Sequence, residues 1–501
     1  MSTTLYWHDY ETSGVDPRRD RPMQFAGVRT DEAFNEIGKP LVIYCKPARD
    51  VLPQPIASLI TGITPQLADE KGLPEAEFIA QIHNELAQPS TCALGYNTLR
   101  FDDEVTRNTL YRNFYDPYGR EWQNGNSRWD IIDLVRMTYA LRPDGIEWPL
   151  RNIEQAEQTD QNVEEVPSFR LEDLTAANGV EHGSAHDALS DVRATIGLAR
   201  LIHQQQPRLY DWLFKLRNKR RAAEMLNLFE LTPVVHTSRM YPSQIGCTTL
   251  VMPLVAEPGN ANSILVYDLR QDPEAFLEMD AETLAQYLFI RNEDLPDGAQ
   301  RLPVKSVKIN KCPALAPLKT LNPEACERIA IDLDVCQQHW QTLKVQCQNT
   351  DFAQRVASAY TGREFEPAED VDLALYDGFM DNADTPLLAQ IRRATPQSLA
   401  TARFDFHDWR LPELFFRYRA RNWPETLNPE EAEQWHQICQ HRLTQGVGGD
   451  SLTIESYFEQ LTVLRNDYSS DMKALEILDA LEQWGKISPM FDSALYSQIL
   501  S

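Results

Sequence analysis

Cysteine is scarce and scattered. The eight cysteines of the 501-residue chain fall at positions 45, 92, 247, 312, 326, 336, 347 and 439, and no two form a Cys-x-x-Cys pair. That argues against a cysteine-held zinc and a dense disulfide framework, and for reduced thiols in a cytoplasmic protein. Long apolar runs are missing too. None approaches the roughly 18 residues of a membrane-spanning helix, and the N-terminus lacks a basic segment followed by an apolar one, so neither a membrane partner nor a secretory leader is expected. Basic residues are outnumbered, with 48 Lys and Arg against 74 Asp and Glu, a formal net charge of −26. That balance alone disfavours a polyanionic partner, yet binding follows the potential within a few Debye lengths of a site. The few basic clusters therefore carry information. Internal repeats and low-complexity tracts are absent.

What is present suffices for real cores: 42% hydrophobic and 9% aromatic residues, in a length that suggests about three domains of roughly 150 residues. Apolar or alternating runs at 5–11, 24–29 and 41–45 predict strands. Residues 56–87 predict helix, punctuated at Gly62, Pro65, Gly72 and Pro74. A short strand follows at 91–95, then helices from near Asp102 to about 113 and over 130–141. The Pro-, Glu- and Gln-rich residues 143–168 read as a surface loop. A short helix over 168–178 ends at Gly179, and a long helix spans 185–205 with Ala188, Val192, Thr195, Ile196, Ala199 and Ile202 on its inner face. Strands followed by strand–helix alternation make 1–205 an α/β domain. Over 206–362 short β-type runs (248–254, 264–269, 304–309) lie between turns, with helices at 281–290 and 323–347. The remainder, 363–501, has a helical pattern throughout.

Three constellations carry chemistry. In Leu5-Tyr6-Trp7-His8-Asp9-Tyr10-Glu11-Thr12 an apolar run ends in two carboxylates spaced i, i+2. On a strand both point the same way, and the usual relief for such repulsion is a divalent cation. Phe101-Asp102-Asp103 places two acids near a helix start, where one could cap the helix while the other faces a site. In His186-Asp187-Ala188-Leu189-Ser190-Asp191 a histidine opens a helix, Asp187 falls in its first turn and Asp191 lies among small and apolar residues.

The order Asp-x-Glu, Asn-x-x-x-Phe-Asp, His-x-x-x-x-Asp resembles the DEDD-type 3′→5′ exonucleases of the histidine subclass. Nearly the whole chain resembles the bacterial exonuclease I family, through Leu59–Gln66, Gly95-Tyr96-Asn97, Arg100–Asn108, Tyr111–Tyr118, Ile309-Asn310-Lys311-Cys312-Pro313 and Tyr418-Arg419-Ala420-Arg421-Asn422. The resemblance implies a ribonuclease H-like exonuclease domain, a small SH3-like β-containing domain and an all-helical C-terminal domain. It implies that Asp9, Glu11, Asp102 and Asp191 hold two Mg²⁺ ions (Mn²⁺ as a substitute), that Glu11 also touches substrate, and that His186 is the general base. The chemistry is coherent. Phosphodiester hydrolysis needs an activated water and a stabilised leaving oxygen, which two hard cations held by oxygen ligands supply. Four carboxylates balance two divalent ions, and an imidazole takes the proton near neutral pH.

The basic clusters suggest how a strand is held. Phe214–Arg221 has five basic residues in eight, among them Lys219. Pro303–Lys311 interleaves Lys305, Lys308 and Lys311 with apolar residues. On a regular strand Lys305 and Lys311 share a face, and such lysines could equally protect a sheet edge. Tyr118 and Trp122 are candidates for base stacking, and Arg107, Arg136 and Arg170 for phosphate contacts. Gly119-Arg120-Glu121 departs from the aromatic-containing stretch expected of the family, and the loop around 155–165 is longer and more acidic than expected. The resemblance also implies docking on the acidic tail of the single-strand DNA-binding protein, with Arg142 and Trp212 at matching positions, Trp212 replacing a tyrosine. The reading is a monomeric, cytoplasmic, processive 3′→5′ exonuclease of DNA repair and recombination that degrades single-stranded DNA to nucleoside 5′-monophosphates. Its rivals are an exoribonuclease of the same superfamily and a catalytically silent DNA-binding scaffold.

Overall fold

Strand β1 (Thr4–Thr12) is built from the apolar run at the start of the chain, and it is buried on both faces: Leu5 and Trp7 on one, Tyr6 and His8 on the other. The computed structural model describes residues 3–153, 164–183, 187–291, 294–295, 300–361, 366–447 and 451–487. By compactness the chain forms two units, one of residues 1–127, 183–193 and 366–501, the other of 128–182 and 194–365.

In the first unit β1 pairs antiparallel with β2 (Pro22–Thr30), which pairs with β3 (Leu41–Tyr44), while the other edge of β1 pairs parallel with β4 (Thr91–Gly95). The parallel ladder runs only from Thr4↔Thr91 to Trp7↔Leu94, so Asp9 and Glu11 project beyond the C-terminal ends of the parallel pair. Ligand crevices of α/β sheets open at that end. Helix α1 (Glu75–Leu86) puts Phe78, Ile79, Ile82 and Leu86 against Tyr6, Tyr10 and Phe25 of the sheet, the 3.6-residue spacing of a one-sided helix. Helix α2 (Asp102–Arg112) adds Val105 and Leu110 to that core. Its far end, with Tyr111 and Phe114, is buried among Leu388, Ile391, Leu411, Leu414, Phe415 and Tyr418 of the C-terminal helices. The helix that carries Asp102 is thereby gripped at both ends by apolar contact.

In the second unit α3 (Ile131–Leu141) starts at an Asp130 N-cap that accepts the Ile132 N–H at 3.0 Å. The stretch read as a surface loop contains a two-stranded sheet, β5 (Leu150–Ile153) with β6 (Glu164–Pro167). The acidic 155–163 stretch lies outside the described residues. Helix α4 (Ala188–Gln205), of which residues 188–193 belong to the first unit, starts later than expected, at Ala188. The mostly β segment is a five-stranded antiparallel sheet of β7 (Val234–Thr237), β8 (Thr248–Ala256), β9 (Ser263–Asp268), β10 (Val304–Lys308) and β11 (Ala314–Pro317), in the order β10-β9-β8-β7-β11. Strands β7 and β11, four residues each, gave too short a pattern to be read. The helix expected over 323–347 is two, Pro323–Arg328 and Leu333–Asn349. Ala330 adopts a left-handed φ of 52° between them, and Asp332 caps the second by accepting the Asp334 and Val335 N–H groups.

Candidate active site

Asp9, Glu11 and Asp191 meet. One carboxylate oxygen of each lies within 4.8 Å of the others. The i, i+2 spacing on β1 sets the first two side by side, and the first turn of α4 delivers the third. Asp187 is the N-cap of α4, not part of its first turn: its carboxylate accepts the Ser190 N–H at 3.3 Å and its carbonyl accepts the Asp191 N–H at 3.0 Å. His186 lies outside the described residues.

Asp102 is stitched to the same strand. Its Oδ1 accepts the backbone N–H of Tyr10, the residue between Asp9 and Glu11, at 3.0 Å. Thr106, one turn on, donates to the Asp102 carbonyl (2.8 Å), and its hydroxyl oxygen lies 3.0 Å from that of Tyr10. The turn that brings α2 there is written in the motif. Asn97 takes a left-handed φ of 64°, which Asn tolerates better than most residues. Gly95 leaves the room it must: a Cβ there would meet the His8 carbonyl oxygen at 2.6 Å and Thr98 Cγ2 at 2.3 Å. Capping by Asp102 or Asp103 does not occur at the expected place. Phe101 holds the N-cap position with no side-chain cap, and Asp103 instead pairs with buried Arg120 at 2.6 Å. The Gly119-Arg120-Glu121 departure thus supplies a partner that fixes the first turn of α2.

The electrostatics suit a cation. Burial, then the charges of Asp102 and Asp191, push the Asp9 carboxyl well above its ordinary range. Burial, then Asp9, Asp191 and Asp187, push Glu11 up to about 9. Every donor is a hard oxygen and the carboxylates repel one another, which fits a hard divalent cation.

Arg107, a candidate for phosphate contacts, is already engaged by carboxylates. It is buried, donates twice to Glu121 (2.7 and 2.8 Å) and once to Glu104 (2.8 Å), and its Nη1 reaches the Tyr376 hydroxyl at 3.3 Å. Two carboxylates neutralise it, and its guanidinium lies 5.3 Å from the centre of the Tyr118 ring, so it positions that aromatic. Sequence reasoning missed Glu104 and Tyr376, which bond to each other across the chain. Nothing local in the sequence marks a pair so far apart. Trp122 is 66% exposed.

The second unit holds the remaining candidates. Arg136 pairs with Asp133 at 2.9 Å. Arg170 is exposed at the N-cap of the helix Leu171–Ala177, 3.8 Å from Glu172. Lys219 is exposed at the first turn of Lys219–Met225, so the basic cluster straddles a break between two helices. Arg142 donates to the Leu141 and Thr320 carbonyls, and the Trp212 indole to the Leu315 carbonyl. Lys305 and Lys308 lie on β10 at the sheet edge, but the strand ends at Lys308, so Lys311 does not share a strand face with Lys305.

Three family profiles match the chain: Exonuclease over residues 6–199, Exonuclease I SH3-like domain over 217–362 and Exonuclease I C-terminal domain over 369–487. Exodeoxyribonuclease I of Escherichia coli is 44% identical over 487 residues, 97% of this chain and 98% of the relative. A moderately thermophilic exonuclease I from Methylocaldum szegediense is 48% identical with a TM-score of 0.88, each chain wholly covered. E. coli exonuclease I in complex with a dA16 oligonucleotide is 44% identical, TM-score 0.89, over 97% of this chain and 99% of that one. An ExoI/SSB-Ct complex is also similar, 42% identical with a TM-score of 0.87 over 97% and 100% of the two chains.

Proposed function

The chain belongs to the exonuclease I family, and we propose that it is a metal-dependent 3′→5′ exonuclease on single-stranded DNA, with Asp9, Glu11, Asp102 and Asp191 as metal ligands and His186 as general base. The observation that carries the site is the convergence of Asp9, Glu11 and Asp191 within 4.8 Å. Two bound Mg²⁺ ions would supply water activation and stabilisation of charge at the scissile phosphate. The chain's own residues do the rest. Strand β1 holds two ligands rigidly, the Tyr10 N–H aims Asp102, and α4 sets Asp191 opposite them. His186 takes the proton from the attacking water, so the carboxylates stay with the metal. Trp122 and Tyr118 stack on bases, while Arg136, Arg170, Lys219 and Lys305 answer phosphates. Processive release of nucleoside 5′-monophosphates, action in DNA repair and recombination, and residence in the cytoplasm belong to the same proposal, as does docking of the SSB tail at Arg142 and Trp212. Among the described residues no helix is long and apolar enough to cross a membrane.

A gel of 3′-end- and 5′-end-labelled single strands tests the activity. With Mg²⁺ the 3′ label is expected to leave at once as mononucleotide and the 5′ label to shorten stepwise; with EDTA nothing should change. Loss from the 5′ end first, or faster loss of a matched RNA, would reverse the reading.

The pH dependence of metal binding is a second test. Folded Glu11 keeps its proton up to about 9, above its ordinary 4.5. Its contribution to stability is therefore complete below the ordinary value and is lost as pH rises through about 9. Metal-free protein should lose thermal stability from this group between about pH 5 and 9, and a divalent ion that displaces the proton should restore it. The Mg²⁺-induced rise in Tm is expected to be larger at pH 9 than at pH 6 by differential scanning fluorimetry. An equal or smaller rise at pH 9 would remove Glu11 from the ligand set.

A further inference from the structure

Arg21, one residue before β2, is buried with its charge poorly met. Its backbone is well anchored. The Ser13 N–H donates to the Arg21 carbonyl at 2.8 Å, and the Arg21 N–H donates to the Ser13 hydroxyl oxygen at 2.9 Å. This clamp closes two residues beyond Glu11, in the same pair of strands that sets Glu11 opposite Gln24. The side chain fares differently. Among the described residues neither Nε nor Nη1 has a hydrogen-bond acceptor. The ionic contact that the guanidinium does make, Nη2 to Asp372 Oδ2 at 3.6 Å, is too long for a hydrogen bond. The carboxylates around it are claimed by other groups. Asp372 is bonded to Arg417 and Arg421. Glu75 accepts from Arg112 Nε and Nη2, each at 3.2 Å, and from Asn113 at 2.8 Å. Asp50 is held by Arg421 at 2.7 Å and by Arg442 at 3.0 Å.

Arg112, in the last turn of α2, shares the shortage. It is as buried as Arg21, and its Nη1 also has no acceptor among the described residues. Two guanidinium groups, from the start of β2 and the end of α2, thus hold three buried N–H-bearing nitrogens without a partner. Burial, then the charges of Arg112 and Arg421, push the Arg21 guanidinium down to about 9, with Glu75 and Asp372 opposing. An arginine does not shed its proton inside a protein, and a buried donor left unmet is costly. An acceptor that also carries negative charge relieves both faults. We propose that Arg21 and Arg112 form a buried binding site for a small monovalent anion of chloride size. Burial strips the ion of its water, which a halide tolerates better than a phosphate dianion does. A spherical ion also accepts N–H groups from any direction, whereas a carboxylate asks for the parallel fork of a single guanidinium. The ion offsets the repulsion among Arg21, Arg112 and Arg421. It thereby joins the Ser13–Arg21 clamp to the helix Leu411–Asn422 that bears Arg421. Neither DNA nor the catalytic metals enter this site, so it stands whether or not the nuclease reading does.

Crystals of the full-length wild-type protein soaked in sodium bromide test the site directly. Diffraction at the bromine absorption edge is expected to show an anomalous peak within hydrogen-bond reach of the Arg21 and Arg112 nitrogens. Density there without anomalous signal means that water satisfies these donors, and that overturns the site, as does bromide found only elsewhere on the protein. The companion measurement is Tm in EDTA, with chloride exchanged for glutamate at constant ionic strength. Binding to the folded state alone should raise the wild-type Tm by roughly 2–4 °C over a roughly hundredfold rise in chloride. Arg21→Gln keeps the backbone clamp with Ser13 and removes the guanidinium, so its Tm should not respond to the exchange. A wild-type response that persists in Arg21→Gln is a general salt effect and overturns the site, as does a wild-type Tm indifferent to chloride. Should Arg21→Gln fail to fold, the bromide map of the wild type decides.

Discussion

Replacing Asp191 by asparagine is expected to lower the rate of single-strand degradation by roughly a thousandfold or more, while raising the melting temperature of the metal-free protein. The rate follows from what the carboxylate does. A divalent ion contributes several kcal/mol of transition-state charge stabilisation, and each 1.36 kcal/mol is a factor of ten. One ligand lost from a shared cluster misplaces that charge. The stability gain has the opposite origin. Asp191 is one of the charges that push Asp9 and Glu11 away from ionising, so removing it relieves a repulsion that exists only without metal. Structural residues do not behave this way, because their loss lowers activity and stability together. The check is a pair of measurements, initial rate on a 3′-labelled strand with Mg²⁺ and Tm in EDTA, with circular dichroism to confirm the fold. A rate within tenfold of wild type would show that Asp191 is not in the machinery.

The parts of this site that were legible in the sequence have local causes. A strand that ends in Asp9 and Glu11 dictates its own geometry, because two-residue spacing on a pleated strand admits only one arrangement. Gly95 and Asn97 mark the tight turn into α2, and Asp191 sits in the first turn of a strongly patterned helix. What was not legible depends on residues far apart in the chain. The partners that hold Arg107 could not be read beside it, because Glu121 and Tyr376 lie 14 and 269 positions away. Asp103 and Arg120 looked like a cap and an anomaly until they were paired. Strands β7 and β11 carry four residues each, too few for alternation to declare itself, and are specified by their pairing with each other, Ala314↔Thr237 through Pro317↔Val234. The C-terminal helices were read correctly as helices, but their apolar faces could not reveal that they close over the far end of α2.

That closure depends on charge as well as apolar contact, and Asp372→Ala is expected to cost about 3–5 kcal/mol of stability, the cost of stripping one partner from a buried ionic group. Asp372 is 1% exposed. It is bonded to Arg421 and Arg417 and lies 3.3 Å from Arg442 and 3.6 Å from Arg21. Arg421 and Arg442 also grip Asp50, at 2.7 and 3.0 Å. Arg21 and Asp50 come from the N-terminal segment and the others from the C-terminal one, so a single buried network ties the sheet that bears Asp9 to the helices that brace α2. Burial alone would raise the Asp372 carboxyl; Arg421, Arg417 and Arg442 overcome it and hold the group well below the ordinary carboxylate range. A carboxyl depressed in the folded state contributes stability above its unfolded value, near 4, and loses that contribution as pH falls through the folded value. Wild type should therefore weaken in strong acid by a margin that Asp372→Ala lacks. Asp372→Asn keeps the shape and removes the charge, and it should cost nearly as much as alanine, because the uncompensated guanidinium groups are the same. Urea unfolding at pH 7 measures both variants, with urea chosen because guanidinium would screen the network. A cost below about 1 kcal/mol for either would mean that the arginines are solvated in the folded protein, and that apolar packing alone holds the C-terminal helices on α2.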